Sequence, residues 1–121
     1  MKIAISATED SKVDQRFGRC SKFKIVEIEE KKVKSQREID NSAAMQSGGA
    51  GIKAAQILGE EKVEAVITGN LGPNATMTLK QLGIKVFQAE GEIDKAIDMF
   101  LEDKLKKIED PTVGSHGGMQ R

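Results

Sequence analysis

A short, largely apolar run in the middle of the chain, Val63–Thr68, restricts the fold more than any other segment. It is rich in β-branched residues and lacks the alternation of a strand with one wet face. A strand of this kind is buried on both faces, so helices must cover it on either side. Apolar residues recur at helical spacing just before it, in Ala50–Leu58, and just after it, in Ala75–Leu82. The chain is therefore predicted to have an α/β fold.

Three strands are predicted ahead of these helices. Lys2–Ser6 places isoleucines on alternate positions, and Phe23–Glu29 is rich in strand-forming residues. A polar turn at Glu30–Lys32 leads into a more polar strand, Val33–Ile39. The second and third strands are therefore expected to form a hairpin with one wet face.

The second half of the chain continues as alternating strands and helices. The first helix is expected to open at Gly48–Gly49 and to close near Gly59, and the next to begin at Pro73. Ile84–Gln88 predicts a fifth strand, and Ile93–Leu101 has the clearest amphipathic stripe. The predicted element order is β-β-β-α-β-α-β-α.

The most consistent layout of these elements is a mixed five-stranded sheet in the order 3-2-1-4-5, with strand 2 antiparallel. It follows from right-handed crossovers and from the tendency of consecutive strands to be neighbours. The element order is that of a ribonuclease-H-like, three-layer α/β/α fold. Residues 1–110 are predicted to form one domain, and the glycine-rich residues 111–121 a flexible tail.

Composition excludes several classes of function. The chain has 19 basic and 19 acidic residues, mixed along its length, and 3% of its residues are aromatic. Without a basic field or stacking platforms, no nucleic-acid partner is expected. No stretch is long enough to cross a bilayer, so no membrane partner is expected, and the single cysteine fits a reducing, cytoplasmic location. Charge runs such as Lys104–Lys107 are expected to be solvated faces.

Catalytic constellations are also missing from the sequence. The single histidine, His116, lies in the predicted tail, so no nucleophile can be paired with it on rigid elements. Ribonuclease-H-like nucleases need carboxylates on their central strands, but only Glu9, Asp10 and Asp14 stand nearby, in a loop. We therefore expect that the protein is not an enzyme.

In the predicted sheet, strands 1 and 4 are adjacent and their connections leave in opposite directions. Their carboxyl ends then enclose a crevice, which is where open α/β sheets bind ligands. Three motifs fall at this edge of the sheet. They are Arg16–Cys20, Gly48–Gly51 and Thr68–Ala75.

The last of these motifs turns from a strand into a helix whose first N–H groups have no intrahelical partner. Gly69, Asn70, Gly72 and Asn74 are candidate binding residues, because exposed backbone donors and the helix dipole favour an anion. The alternative is a plain strand-to-helix turn, in which glycine and proline serve only the backbone conformation. The residues of this motif alone do not decide between the two.

The second motif opens the first helix, and Gly48 and Gly49 are candidate contacts to the same ligand. Residues 49–54 match the G-x-G-x-x-A form of a dinucleotide fingerprint. The preceding strand is polar, however, and Asn70 stands near the place of the ribose-binding acid that is expected about twenty residues later. No nucleotide cofactor is therefore expected.

The first motif ends the long loop after strand 1 with two guanidinium groups and a thiol. Arg16 and Arg19 can fork onto carboxylate or oxyanion groups. Together with Lys22 they are expected to favour the thiolate of Cys20. The alternative is an exposed loop in which Phe17 packs inward and Cys20 is a small buried hydrophobe.

Four stretches of the sequence occur together in one known family. They are Phe17–Phe23, Gly48–Gly51, Thr68–Ala75 and Leu82–Val86. Through them the chain resembles the dinitrogenase iron–molybdenum cofactor biosynthesis family, which includes small NifX-like carriers, over residues 1 to about 105. The family loop often reads His-Phe-Gly-Arg, whereas here Arg16 stands in place of the histidine.

The resemblance implies a ribonuclease-H-like fold and a non-catalytic carrier of an iron–sulfur or iron–molybdenum cluster, with a cluster donor or acceptor protein as partner. Such clusters are anionic, so backbone N–H groups with Arg16 and Arg19 would hold one largely by charge. Cys20 would add a soft sulfur ligand and is the metal-ligand candidate. Two alternatives stay open, a module for a phosphate-bearing metabolite and a regulatory interaction domain. The sequence does not indicate the oligomeric state.

Overall fold

The computed structural model describes residues 1–113, which form one mixed sheet and three helices. The strands are β1 (Lys2–Ala7), β2 (Lys22–Glu29), β3 (Lys32–Asp40), β4 (Ala65–Thr68), β5 (Lys85–Gln88) and β6 (Lys106–Ile108). The helices are α1 (Ala50–Glu60), α2 (Pro73–Gln81) and α3 (Ile93–Leu101). No helix in this part of the chain is long and apolar enough to cross a membrane.

The strand order is β3-β2-β1-β4-β5-β6. The predicted order of the first five strands and the antiparallel direction of β2 are confirmed. β1, β4 and β5 run parallel, as strands joined through crossover helices must. The predicted number of five strands is wrong, because β6 adds a sixth strand, antiparallel to β5.

The sixth strand lies in a charge run that was expected to be a solvated face. Lys106 and Lys107 are exposed, and Ile108 is the buried residue of β6. Hydrogen bonding to β5 and one apolar contact therefore stabilise this strand. A strand of three residues with one buried side chain has no periodicity that a sequence pattern can show.

Alternate residues of the central strands point to opposite faces of the sheet and build two apolar clusters. On one face, Ala4 belongs to a cluster with Leu58 of α1 and Leu79 of α2. On the other face, Ile5 belongs to a cluster with Ile97 of α3. Helices therefore cover both faces of the sheet, and the ribonuclease-H-like assignment of these layers stays a prediction.

The helix boundaries follow the predicted glycines and proline with one exception. α2 begins at Pro73, and Gly83, with a φ of 74°, follows its end. Gly59, expected to close α1, lies inside the helix, which continues to Glu60. A Cβ on Gly59 would lie 3.1 Å from Cδ1 of Leu82, so this glycine makes room for the packing of α2 against α1.

Candidate functional site

The three predicted motifs converge at the carboxyl ends of β1 and β4. A Cβ placed on Gly18 would lie 2.8 Å from the backbone nitrogen of Gly51, in the first turn of α1. A Cβ on Gly51 would lie 3.1 Å from the Cβ of Ala75, in the first turn of α2. A β-bridge between Arg16 and Asn70 joins the first motif to the third. We call this surface, formed by residues 16–20, 48–51 and 68–75, the glycine edge.

Two helix N-termini lie side by side at the glycine edge. α1 begins after Gly49 and α2 after Gly72, and neither has a capping side chain or an acidic residue in its first turn. The first N–H groups of a helix have no intrahelical partner, and the helix dipole places partial positive charge on them. The glycine edge is therefore suited to an anion.

Gly69 has a packing role that the sequence motif does not reveal. Its N–H donates to the carbonyl oxygen of Asp14 (3.2 Å), and its carbonyl oxygen accepts from Nε2 of Gln88 (2.9 Å). A Cβ on Gly69 would lie 2.4 Å from the side chain of Gln15 and 2.6 Å from its Cα. Gly69 therefore allows the long loop after β1 to approach the end of β4, and its N–H is already engaged.

The remaining candidates in the glycine motifs lie in more open surroundings. Gly48, Gly49 and Asn74 are exposed. A Cβ on Gly48 or Gly72 would meet no atom within 4 Å. Gly49 has a φ of 73° and so needs the left-handed conformation that glycine adopts easily. The role of these residues as ligand contacts stays a prediction.

Arg16 is held in place by a buried carboxylate. Asp14, which is 4% exposed, accepts hydrogen bonds from the backbone N–H of Arg16 (2.9 Å) and from its Nε and Nη2 (both 3.1 Å). These contacts raise the pKa of the Arg16 guanidinium. The Arg16 side chain is 66% exposed, and its Nη1 has no hydrogen-bond partner within residues 1–113. Asp14 thus fixes the guanidinium and leaves one nitrogen available.

Arg19 supports the loop that leads into α1. Its Nη1 donates to the carbonyl oxygens of Ala44 (2.9 Å) and Gln46 (2.5 Å). The chain reaches Gly48 two residues later, so Arg19 fixes the approach to the second glycine motif. Its Nε and Nη2 make no hydrogen bond in the part of the chain that the structure describes.

Cys20 is buried and neutral, against the expectation that neighbouring cations would favour its thiolate. The residue is 0% exposed, and its Sγ lies 3.3 Å from the carbonyl oxygen of Phe17. Burial, followed by the negative charge of Asp14, raises the pKa of the Cys20 thiol to about 12. The residue is therefore a small buried hydrophobe in this structure, as the alternative interpretation held, and its role as a metal ligand stays a prediction.

Two buried polar residues, Ser6 and Asn41, shape the glycine edge and were not among the predicted site residues. The carbonyl oxygen of Asp14 lies 2.9 Å from Oγ of Ser6, which joins the long loop to β1. Asn41, just after β3, donates through Nδ2 to the carbonyl oxygens of Gly18 (3.0 Å) and Cys20 (2.9 Å). Such side-chain bonds to the backbone are common at turns, but the sequence does not show which carbonyls they reach.

The start of the predicted tail is anchored on the glycine edge. Thr112 accepts a hydrogen bond at Oγ1 from the N–H of Leu71 (2.7 Å), and its own N–H donates to the carbonyl oxygen of Leu71 (2.8 Å). Thr112 Oγ1 also lies 3.2 Å from Oδ1 of Asn70. Gly114–Arg121, with His116, lie outside the described residues, so the predicted flexibility of that stretch stays a prediction.

Removing the hydroxyl in Thr112→Val is expected to loosen this contact locally. The buried Leu71 N–H would lose its acceptor, at a cost of about 1 kcal/mol. Native-state hydrogen exchange at Leu71 should then become about fivefold faster. Thr78→Val is the matched control, because the Thr78 hydroxyl bonds only to the carbonyl oxygen of Asn74, one turn earlier in α2. Unchanged exchange at Leu71 in Thr112→Val would mean that Thr112 does not hold the loop.

No group of three or more histidine, cysteine, aspartate or glutamate side chains that could hold a metal ion occurs within residues 1–113. The donors that the glycine edge offers are backbone N–H groups and guanidinium nitrogens. Such donors recognise the charge and the acceptor atoms of an anion, whether or not it contains a metal.

Comparison with known proteins identifies the family. Residues 1–103 match the family model described as dinitrogenase iron-molybdenum cofactor. An uncharacterized protein of Methanocaldococcus jannaschii is 42% identical over 110 residues, which cover 90% of this chain and 92% of that protein. The structure of the apo form of the orange protein from Desulfovibrio gigas matches with a TM-score of 0.84 and 32% identity, covering 92% of this chain and 95% of that one. The chain therefore belongs to the dinitrogenase iron–molybdenum cofactor family.

Proposed function

We propose that the protein is a non-catalytic, cytoplasmic carrier that binds an iron–sulfur or iron–molybdenum cluster, or its precursor, at the glycine edge. The observation that carries the proposal is the pair of uncapped helix N-termini that lie side by side there. Family membership supports the choice of cargo. The structure of the similar orange protein is that of its apo form.

Binding in this proposal depends on charge and on a rigid arrangement of donors. Metal–sulfur clusters carry negative charge, which the partial positive ends of α1 and α2 stabilise. Arg16 is fixed by Asp14 and Arg19 by the loop carbonyls before α1, so neither side chain has to be ordered when the anion arrives. Hydrogen bonds from charged donors are roughly twice as strong as neutral ones. A site made of such donors releases its cargo without breaking a covalent bond, as transfer to an acceptor protein requires.

In this proposal, Cys20 is a metal ligand only if two conditions are met. With its thiol buried and its pKa raised to about 12, it can bind a metal only if the Arg16–Cys20 loop opens and the thiol loses its proton. The version of the proposal that rests on charge alone needs neither step. The two versions differ in what removal of the thiol does to binding.

Anaerobic binding of two probes tests the proposal. The probes are tetrathiomolybdate and a cluster reconstituted from iron and sulfide, and the readouts are metal retained after gel filtration and visible absorbance. Wild type should retain both anions, and Arg16→Gln/Arg19→Gln should bind about tenfold more weakly or worse, since a hydrogen bond from a charged group contributes about 1.5–3 kcal/mol.

Two control variants complete this experiment. Arg37→Gln removes a guanidinium that pairs with Glu61, outside the glycine edge, and should bind as wild type does. Cys20→Ala should bind normally if charge alone holds the cluster, and should lose binding if the thiolate is a ligand. The proposal would be overturned if wild type retained neither probe. It would also be overturned if Arg37→Gln weakened binding as much as Arg16→Gln/Arg19→Gln does.

A second candidate function is binding of a phosphate-bearing metabolite, because helix N-termini with free N–H groups bind phosphate equally well. Inorganic phosphate, pyrophosphate and ADP serve as probes in thermal unfolding. A rise in melting temperature in wild type but not in Arg16→Gln/Arg19→Gln would favour this function. With no response to any of the anions, the remaining alternative is an interaction domain whose glycines serve packing only.

A further inference from the structure

A groove on the face of the sheet that α3 covers lies at the opposite end of the strands from the glycine edge. Its volume is about 530 Å³, within the range of about 300–1,000 Å³ that is typical of small-molecule sites. It is bordered by the first residues of β4 and β5, the end of α3 and the β2–β3 turn. The apolar residues that line it are Met1, Ile28, Ala65, Phe87, Phe100 and Leu101. We call this surface the phenylalanine groove.

Two aromatic rings of the phenylalanine groove are only partly covered by the rest of the protein. Phe87 of β5 and Phe100 of α3 meet edge to face, with ring centroids 5.2 Å apart. Both are half-buried, as is Leu101, whereas Ile28 and Ala65 are buried and form the floor. Aromatic side chains contribute a large apolar area when they are covered. The groove therefore offers apolar surface to a ligand.

The strand register places a cation beside this apolar surface. Lys85 lies opposite Ala65 of β4, which belongs to the apolar cluster under α3. Residues that lie opposite each other in neighbouring strands share a face of the sheet, so Lys85 points to the same side as Phe87, two residues later. Lys85 is exposed and makes no ion pair in the part of the chain that the structure describes.

An anion without an ion-pair partner lines the same groove. Asp103, in the turn after α3, is exposed and pairs neither with Lys85 nor with any other described residue. It also stands at the negative end of the α3 dipole. The other charged residues that line the groove have an opposite charge next to them. Glu29 pairs with Lys34 (3.6 Å), and Glu30–Lys31 are consecutive residues of opposite sign.

We propose that the phenylalanine groove binds a free α-amino acid with a large apolar side chain. The carboxylate would contact Lys85, the ammonium group would contact Asp103, and the side chain would cover Phe87 and Phe100. A zwitterion uses both charges, whereas an apolar acid or an apolar amine uses only one. The groove shares no residue with the glycine edge, so the inference does not depend on the proposed cargo.

Titrations of isotope-labelled protein, followed by NMR, test the inference. The probes are L-phenylalanine, phenethylamine, which lacks the carboxylate, and 3-phenylpropionate, which lacks the ammonium group. L-Phenylalanine at millimolar concentration should shift the backbone signals of residues 85–87 and 100–103 and leave those of the glycine edge unchanged. Wild type should bind each of the other two probes about threefold to fivefold more weakly, the effect of one exposed ion pair.

Two variants serve as controls for each other. Lys85→Gln should bind L-phenylalanine and phenethylamine equally well and should still bind 3-phenylpropionate more weakly. Asp103→Asn should bind L-phenylalanine and 3-phenylpropionate equally well and should still bind phenethylamine more weakly. Asparagine tolerates the left-handed conformation of this position, where φ is 63°, so the turn is kept.

Four outcomes would overturn the inference. If L-phenylalanine shifts no signal of the groove in wild type, no such site exists, and this measurement depends on no variant. If wild type binds all three probes equally, the two charges do not recognise the ligand. If free glycine binds as tightly as L-phenylalanine, the apolar surface is not used. If either variant loses both preferences, Lys85 and Asp103 do not contact separate groups of the ligand.

Discussion

In the native protein, the single cysteine is expected to react with thiol reagents about thirtyfold more slowly than in the unfolded chain, or slower still. A pKa of about 12 in place of the ordinary 9.0 leaves about a thousandfold less thiolate near neutral pH. The thiolate is the form that reacts, and the higher intrinsic reactivity of a more basic thiolate offsets part of this loss. Because Cys20 is 0% exposed, contact with the reagent also requires the loop to open. The measurement is the rate of reaction with a chromogenic disulfide, in buffer and in guanidinium chloride.

An exposed cysteine provides the comparison within the same fold. Cys20→Ala/Ser47→Cys moves the thiol to an exposed position in the loop before α1 and should react in the native state about as fast as in denaturant. If native wild type reacted equally fast, the Arg16–Cys20 loop would open readily. That result would contradict the buried, neutral thiol and would favour Cys20 as a ligand, so it bears directly on the proposed function.

The sheet was predictable because its central strands carry a strong physical signal. β4 is buried at every position, and a strand of that kind can be accommodated only between layers of helices. The handedness of crossovers then fixes the order of the first five strands. β6 was missed because its lysines are exposed and its pairing with β5 depends on the position of that strand, which local sequence does not show.

The location of the candidate site was also predictable, but not the state of its residues. The three motifs do meet at the carboxyl ends of β1 and β4. Cys20 differs from expectation mainly because its thiol is buried, and the buried carboxylate of Asp14 adds to this effect. This carboxylate pairs with the Arg16 guanidinium and helps to raise the pKa of the thiol. Burial and pairing are tertiary properties, and a charge count along the chain cannot supply them.

The sequence also does not show which glycines in these motifs serve packing and which expose an N–H to a ligand, because this too depends on tertiary structure. Gly49 has a positive φ, Gly18 and Gly69 allow close backbone contacts, and Gly48 has open space around the position of a Cβ. A glycine that is required for packing and one that exposes an N–H to a ligand look alike in a motif. The structure distinguishes the two kinds of glycine by the atoms that a Cβ at each position would contact.

Gly69→Ala is therefore expected to destabilise the protein strongly. The new Cβ would lie 2.4 Å from the side chain of Gln15 and 2.6 Å from its Cα, so the loop after β1 must move. That movement would disturb the hydrogen bond from the Gly69 N–H to the carbonyl oxygen of Asp14. Overpacking of this kind costs about 1–3 kcal/mol of the free energy of unfolding. Chemical denaturation of both proteins measures the difference.

Gly48→Ala makes the same chemical change in the neighbouring motif where no atom lies within 4 Å of the new Cβ. Its free energy of unfolding should stay within about 0.5 kcal/mol of wild type or rise slightly, because alanine restricts the unfolded chain. Both variants lose one glycine from the glycine edge. A difference between their free energies of unfolding therefore reports the close packing at Gly69 and not the loss of a glycine as such. Equal stability of the two variants would mean that the close approach of Gln15 to Gly69 is not required. The rigid arrangement of donors on which anion binding by charge depends would then rest on the other contacts of the Arg16–Cys20 loop, such as the bridge between Arg16 and Asn70.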